Sequence, residues 1–430
     1  MNGRPISRAS VGARGRERKS SGGRGRKGVL ALILGMLLLA VTACGGGGGG
    51  GSDSGSGGDQ DGKGGSGRAD TKTSRAVVTI APKNGADDVD TSGALKVTAA
   101  KGELTEVKVE NTKGEPVEGE ITGDGASWTP TDHLASATKY KVHAIAKDSE
   151  GRRAAEESTF TTLTPKNTFV GIFTPEDGSK VGVGMPFSIR FDRGITHPED
   201  VEKAIRVKTE PAVDVEGHWF GNDRLDFRPE KYWKPGTKVT VDLDLDGLEG
   251  RPGVYGEQAK TVEFTIGRSQ VSTVDAKSKK MKVVRDGKLI KTIPITSGAP
   301  STPTYNGQMV ISEKHKVTRM NGATVGFTRP DGKGEYDIKD VPHAMRLSTS
   351  GTFIHGNYWA PYAPGNQNVS HGCVGLRDVK GAWDGKQPAA WFFDNSILGD
   401  VVIVKNSKDT TIQPDNGLNG WNMSWEKWKA

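Results

Sequence analysis

Only two cysteines occur in 430 residues, Cys44 and Cys373. So few exclude a disulfide-stapled scaffold and four-thiolate zinc modules. Aromatic residues make up 7% of the chain and histidines number eight. The one long apolar run, Val29 to Val41, falls short of the roughly 20 residues a membrane-spanning helix needs. An excess of positive charge is also missing once the first 43 residues are set apart. They hold nine Lys/Arg and one acid, leaving 50 basic against 51 acidic residues elsewhere in a chain that is formally +7. A nucleic-acid partner therefore loses its main support, and none is expected.

What is present begins with a leader. A basic segment (Arg4 to Lys27) precedes the apolar run, which ends at Val41-Thr42-Ala43-Cys44. The run has the length of a signal-peptide core, and the four residues resemble a bacterial lipobox, whose cysteine becomes the lipidated first residue of the mature protein. An uncleaved membrane anchor with an incidental cysteine is the less favoured alternative. No adjacent arginine pair points to twin-arginine export. Residues 1–43 are thus expected to be a lipoprotein signal peptide, and Cys44 a lipid anchor to the outer face of the cell membrane, facing the cell wall. If Cys44 is acylated, Cys373 has no intrachain partner.

Residues 44–75 are mostly Gly, Ser, Asp and Lys and cannot bury a core, so they read as a flexible tether with a reach of about 30 Å. From 76 to 164 the pattern turns to short alternating stretches such as Val77-Val78-Thr79-Ile80 and Tyr140 to Ala146, with turns at Asn84-Gly85, Lys113-Gly114 and Gly123-Asp124-Gly125. Period-two runs at about ten-residue spacing predict a β-sandwich. Residues 165–267 repeat the plan. Pro82 to Gly85 recurs as Pro175 to Gly178, Trp128-Thr129-Pro130 as Phe227-Arg228-Pro229, Thr138-Lys139-Tyr140 as Thr237-Lys238-Val239, and Ser158-Thr159-Phe160 as Val262-Glu263-Phe264. The acids Asp242, Asp244 and Asp246, with Glu199-Asp200, invite a calcium or glycosidase reading. Alternating acids more often mark a solvated strand face, and the calcium-loop glycine and terminal glutamate are missing. His197 and His218 are isolated, which favours packing or surface roles.

A third domain is expected over 268–407. Asp286-Gly287 between two apolar-alternating runs predicts a hairpin, and strands are expected at Ala344–Leu347, Thr352–His355 and Val401–Lys405. One short helix is expected near Pro388 to Asn395. Lys316 to Val341 reads as a long polar loop closing over a site. The overall fold class is mostly β and multidomain.

Chemistry concentrates at Ile354-His355-Gly356 and, eighteen residues from His355, at Ser370-His371-Gly372-Cys373-Val374. A thiol attacks a carbonyl as thiolate and needs a base nearby, for which His355 and His371 are the candidates. The glycine lets backbone approach closely, and the amides of Gly372 and Cys373 offer part of an oxyanion hole. A packed, inert thiol beside an unrelated histidine stays open on spacing alone. A zinc site from His355, His371 and Cys373 lacks metal-type spacing, so no metal and no cofactor are expected.

With these motifs and Thr302-Pro303-x-x-x-Gly307, residues 269–430 resemble the L,D-transpeptidase family, with its YkuD-type catalytic domain. The order of leader, tether, two immunoglobulin-like domains, catalytic domain and Trp-rich tail is similar to actinobacterial members. The resemblance implies that Cys373 is the acylated nucleophile and His355 its base, oriented by the Gly356 carbonyl. It implies that His371 shapes the site and that Gly372 and Cys373 donate to the oxyanion. Tyr336 resembles a lid tyrosine, and Met320 and Trp359 pocket residues flanking the donor stem; Ser370 and Asn368 join the substrate-binding candidates. Gly375 departs from the Arg or Asn that relatives often carry, and Arg377, on the same face of an extended strand, is its candidate substitute. The implied partners are peptidoglycan stem peptides, as donor and acceptor, with carbapenem β-lactams as inhibitors. The implied reaction forms 3→3 cross-links and releases D-Ala. L,D-carboxypeptidase activity and a non-catalytic wall-binding role are the alternatives. Trp421, Trp425 and Trp428 share one face of a helix, which predicts that 408–430 docks on the catalytic domain; a membrane-facing stripe is the alternative.

Overall fold

The computed structural model describes residues 73–430. The expected signal peptide, Cys44 and residues 44–72 of the expected tether lie outside the described residues.

Two β-sandwiches come first, and they share one strand order. In the first, one sheet runs Val77–Ala81, Lys96–Ala100, Ser127–Pro130, Gly119–Ile121, and the other Ala86–Val89, Arg153–Thr162, Lys139–Lys147, Glu103–Asn111. The second repeats this as Gly171–Thr174, Phe187–Phe191, Arg224–Pro229, Val215–Phe220, and as Ser179–Val181, Ala259–Ile266, Lys238–Asp244, Ile205–Glu210. Among these four-stranded sheets each sandwich has one parallel pair, at the same place in the order. The sequence correspondences fall on equivalent strands: Trp128 and Phe227, Tyr140 and Val239, Phe160 and Phe264 all lie in the two cores. Alternation works because successive side chains in a strand point to opposite faces, so one set packs inward.

The acids that invited a calcium reading have structural partners. Asp242 pairs with Lys208 at 3.2 Å, Asp244 with Arg206 at 3.4 Å, and Asp246 accepts from Ser136 Oγ of the first sandwich at 2.6 Å. That joint is polar, with Thr91 Oγ1 donating to Gly247 O at 2.7 Å beside it. Of the isolated histidines, His197 Nδ1 donates to Glu249 O at 3.0 Å and His218 Nδ1 to Trp428 O at 2.8 Å.

The third region is a nine-stranded arrangement. Its order is Gly307–Val310, Val401–Lys405, Gln270–Asp275, Lys280–Arg285, Lys288–Thr296, Val374–Arg377, Phe353–Asn357, Asp337–Arg346, Glu313–Asn321. Its core gathers Val274, Met281, Ile295, Met309, Ile354, Val374 and Leu376, with Phe392 from the helix Pro388–Asp394. One expectation is corrected: Lys316 to Val341 is not a free loop. It belongs to a hairpin whose strands, Glu313–Asn321 and Asp337–Arg346, flank a short 3-10 turn at Gly322–Val325. The outer strand is a sheet edge with polar residues on both faces, so no apolar alternation announces it.

The C-terminal extension is a second correction. Trp421 and Trp428 lie in separate turns, Gly420–Asn422 and Trp425–Trp428, because Met423 is extended and Ser424 caps a new helix by accepting from Lys427 N–H. Their rings pack on the second sandwich, while other residues of the extension, Ile412 among them, dock on the catalytic region as expected. Trp421 Nε1 donates to Gly184 O at 2.7 Å and Trp428 Nε1 to Glu216 O at 2.9 Å. The buried Arg228 guanidinium lies 4.8, 5.3 and 4.2 Å from the ring centroids of Trp421, Trp425 and Trp428. The extension grips the catalytic region through asparagines, with Asn419 Oδ1 accepting from Val310 N–H at 3.0 Å and Asn422 Oδ1 from Gln308 N–H at 2.8 Å. Val310, Val401, Leu418 and Trp421 all belong to the core of the second sandwich.

Trp428→Ala is expected to cost about 3–5 kcal/mol of stability, and truncation after Ser407 to lower the melting temperature further. Thermal denaturation of both variants checks this; an unchanged melting temperature would contradict docking.

Candidate active site

Parallel pairing of Phe353–Asn357 with Val374–Arg377 places His355 beside Gly375, and antiparallel pairing places Thr296 on the other side of Gly375. Because side chains alternate faces, His355, Thr296 and Cys373 all open toward one cavity. It measures about 130 Å³ and is lined by Thr296, Met320, Tyr336, Ile338, His355, Asn357, Trp359, Val369, Ser370, His371, Cys373 and Gly375. Seven of the eleven candidates from sequence therefore meet here, and Gly356 holds one of them, His355, through its carbonyl.

The turn carrying the thiol is built by hydrogen bonds. Ser370 Oγ donates to Cys373 O at 2.6 Å and accepts from Gly372 N–H at 3.2 Å. Thr302 Oγ1 and Ala299 N–H both donate to Ser370 O, at 2.9 and 2.8 Å, which is where the Thr302-Pro303 motif supports the turn. Gly372 has φ +112°, a backbone region that strains a residue bearing Cβ. Its N–H, an oxyanion candidate, is held by Ser370 Oγ in this resting arrangement.

His355 Nδ1 lies 2.9 Å from Gly356 O, which only accepts, so Nδ1 carries the proton and Nε2 of the neutral ring is an acceptor. The ring stacks on Trp359 with centroids 5.4 Å apart. Burial pulls the His355 pKa below its ordinary value, opposed by the bond to Gly356 and by the charge of Asp378. Burial likewise pushes the Cys373 thiol up to about 11, opposed by a hydrogen bond from Phe353 N–H and by Arg346. The resting pair is neutral: a protonated thiol and an uncharged imidazole. The thiol donates to Gly351 O at 3.5 Å, so it must swing from that carbonyl to reach His355.

His371 is a packing platform. Its ring lies 5.0 Å from Tyr336 and 5.9 Å from Phe327, tying the hairpin tip to the thiol turn. Burial pushes Tyr336 up to about 12, so it is an un-ionised wall. Besides Gly356 and Gly372, which act through backbone, Asn368 and Arg377 do not line the cavity. Asn368 braces the turn instead, accepting from Ser297 N–H at 3.1 Å and donating to Ala276 O at 2.9 Å. Arg377 is exposed and pairs in register with Asn357. A Cβ at Gly375 would fall 2.7 Å from Thr296 Cγ2, so this chain closes with Thr296 the space a longer residue would claim.

Sequence reasoning missed Thr296, Asn357 and Gly351. Asn357 was accessible, lying two residues beyond His355 and hence on the same face of a strand. Gly351 contributes only a carbonyl, and no side chain signals it. Among the described residues no group of three or more His, Cys, Asp or Glu is arranged to hold a metal ion.

In the folded protein, Cys373 should react with iodoacetamide with a midpoint near pH 11. At about pH 8 it should react about a hundredfold more slowly than in urea, where the thiol titrates at about 8.5. Alkylation rates across pH check this, and a midpoint near the unfolded value contradicts the protonated resting thiol.

The comparisons with known proteins follow the same lines. Residues 269–404 match the L,D-transpeptidase catalytic domain family, YkuD, and residues 86–249 match a bacterial Ig domain family. L,D-transpeptidase 2 of Mycobacterium tuberculosis (strain CDC 1551 / Oshkosh) is 35% identical over 82% of this chain and 84% of its own length. L,D-transpeptidase 5 of M. tuberculosis H37Rv is 30% identical over 82% and 76%. A solved L,D-transpeptidase in complex with imipenem is 28% identical over 54% of this chain and 97% of that one, with a TM-score of 0.45. With relatives this similar across most of both chains, and a cleft assembled around one thiol and one imidazole, the chain belongs to the L,D-transpeptidase family of acyltransferases.

Proposed function

We propose that the enzyme forms 3→3 peptidoglycan cross-links through a thioester at Cys373. The observation that carries this reading is the cavity that holds a protonated thiol together with a neutral imidazole whose Nε2 is free to accept. As a donor stem enters, the thiol leaves Gly351 O and passes its proton to His355 Nε2. Sγ then attacks the carbonyl of the L-centre of the diamino acid at stem position three. The C–N bond to the terminal D-Ala breaks, and His355 returns the proton to the departing amine. A side-chain amine of a second stem attacks the thioester, its proton passes to His355, and the regenerated thiolate is reprotonated.

The rest of the cavity has roles in the same reading. The N–H groups of Cys373 and of Gly372, once released from Ser370 Oγ, supply the oxyanion donors. Met320, Tyr336 and Trp359 flank the donor stem. A relative solved with imipenem supports carbapenems, and one solved with a faropenem-derived adduct supports penems, as β-lactam inhibitors that acylate Cys373. The leader supports export and lipid attachment at Cys44, holding the enzyme on the outer face of the membrane within tether's reach of the wall.

Incubation with a carbapenem should add one drug mass to the wild-type protein and none to Cys373→Ala, read by intact mass. Purified muropeptides should yield 3→3 dimers; trimmed tripeptides alone would make the enzyme a carboxypeptidase, and neither product would sink the reading. Cys44→Ala should move the protein from the membrane fraction to the medium, read by fractionation.

A further inference from the structure

Behind His355 sits a second histidine with a carboxylate, which the mechanism above does not use. His343 and Asp378 are 3% and 5% exposed, and His343 Nδ1 donates to Asp378 Oδ2 at 2.7 Å. Asp378 Oδ1 accepts from Val379 N–H at 2.8 Å, so both carboxylate oxygens are engaged and the group is fixed. Asp378 follows directly on the strand that carries Val374 to Arg377, and His343 lies in the strand Asp337–Arg346. The pair thus bridges the two strands on either side of the one holding His355. The His343 ring is packed by Phe393, with centroids 5.2 Å apart.

The carboxylate presses on the backbone that orients the base. A Cβ at Gly356 would collide with Asp378 Oδ2 and lie 2.5 Å from Asp378 Cβ and 2.6 Å from Pro342 Cγ. Gly356 is therefore glycine because Asp378 occupies the space, and the carbonyl of that residue accepts from His355 Nδ1. Other charges on neighbouring elements are spent or remote: Asp340 and Lys380 pair with each other at 3.5 Å on the surface, and Arg377 is exposed. A buried carboxylate facing a buried imidazole through one peptide unit acts at low effective dielectric, where an opposite charge favours the ionised ring.

We propose that Asp378, held in place by His343, is a positioning residue for His355. Its carboxylate stabilises the imidazolium formed when the Cys373 Sγ–H bond breaks and the proton bonds to His355 Nε2. The inference rests on the reading of His355 as base. It divides between two groups what a single aspartate does in a Ser-His-Asp triad: the Gly356 carbonyl orients the ring, and Asp378 supplies the charge.

The test follows carbapenem acylation of the full chain against pH for wild type, Asp378→Asn and His355→Gln, with circular dichroism to confirm folding. Asparagine removes the charge and keeps an oxygen to accept from Val379 N–H, while its Nδ2 donates to His343 Nδ1, which accepts in the other tautomer. Losing a negative neighbour makes the imidazolium less favourable, so the acidic limb should move about one pH unit lower, and acylation at about pH 8 should slow about three- to tenfold. An NMR titration of the His355 ring should show the same downward shift, which a merely structural role would not produce. An unmoved limb and ring titration in folded Asp378→Asn overturn the inference while leaving the base assignment intact. Wild-type acylation by His355→Gln instead removes the base assignment, and the inference with it. If Asp378→Asn does not fold, the paired replacement of His343 and Asp378 by leucine removes both buried partners together, and the same downward shift is required of it.

Discussion

Everything at this site depends on one strand pairing. Phe353–Asn357 runs parallel to Val374–Arg377 in a register that sets His355 against Gly375. A slip of one residue would send His355 to the opposite face, away from Cys373, because side chains alternate. The register is held from both sides: Thr296 pairs with Gly375 across one neighbour, and Met345 with Ile354 across the other. Parallel strands need a crossover, and here the crossover is the segment 358–373, which carries Trp359 at its start and the thiol turn at its end. One connection therefore provides both the wall of the cavity and its nucleophile.

The same burial that shapes the cavity determines its chemistry. Removing water from Cys373 and His355 disfavours the charged form of each, so the resting site holds no ion pair. Charge appears only when a substrate is in place to receive the nucleophile, which limits idle oxidation of the thiol. The weak contact with Gly351 O gives the thiol a resting partner without committing its proton. Gly351 in turn sits beside Ser350, whose Oγ accepts from Asn416 Nδ2 at 2.8 Å. Arg224 of the second sandwich donates to Asp415 O and Gly417 O, at 2.9 and 2.7 Å, on either side of that asparagine.

Legibility in the sequence tracked how strongly burial patterned each element. The sandwiches were readable because one face of each strand is buried, so alternation survives in residues such as Tyr140-Lys141-Val142. The thiol turn was readable because its residue types are chemically specific. The hairpin strand Glu313–Asn321 was not, since at a sheet edge neither face is dry. The tail misled differently: a helical spacing of three tryptophans is real, yet Met423 breaks the helix and Arg228 collects all three rings around one cation. His343 and Asp378 were silent because 35 residues separate them and only the folded sheet brings them together.

The joint between the first and second sandwiches is polar, whereas the second sandwich shares an apolar core with Val310 and Val401 of the catalytic region and with Trp421 of the tail. Cooperativity in unfolding follows shared apolar burial more than chain order. The buried unit that carries the site is thus larger than the catalytic domain drawn from motifs: it includes the second sandwich and the tail, while the first sandwich keeps an apolar core of its own.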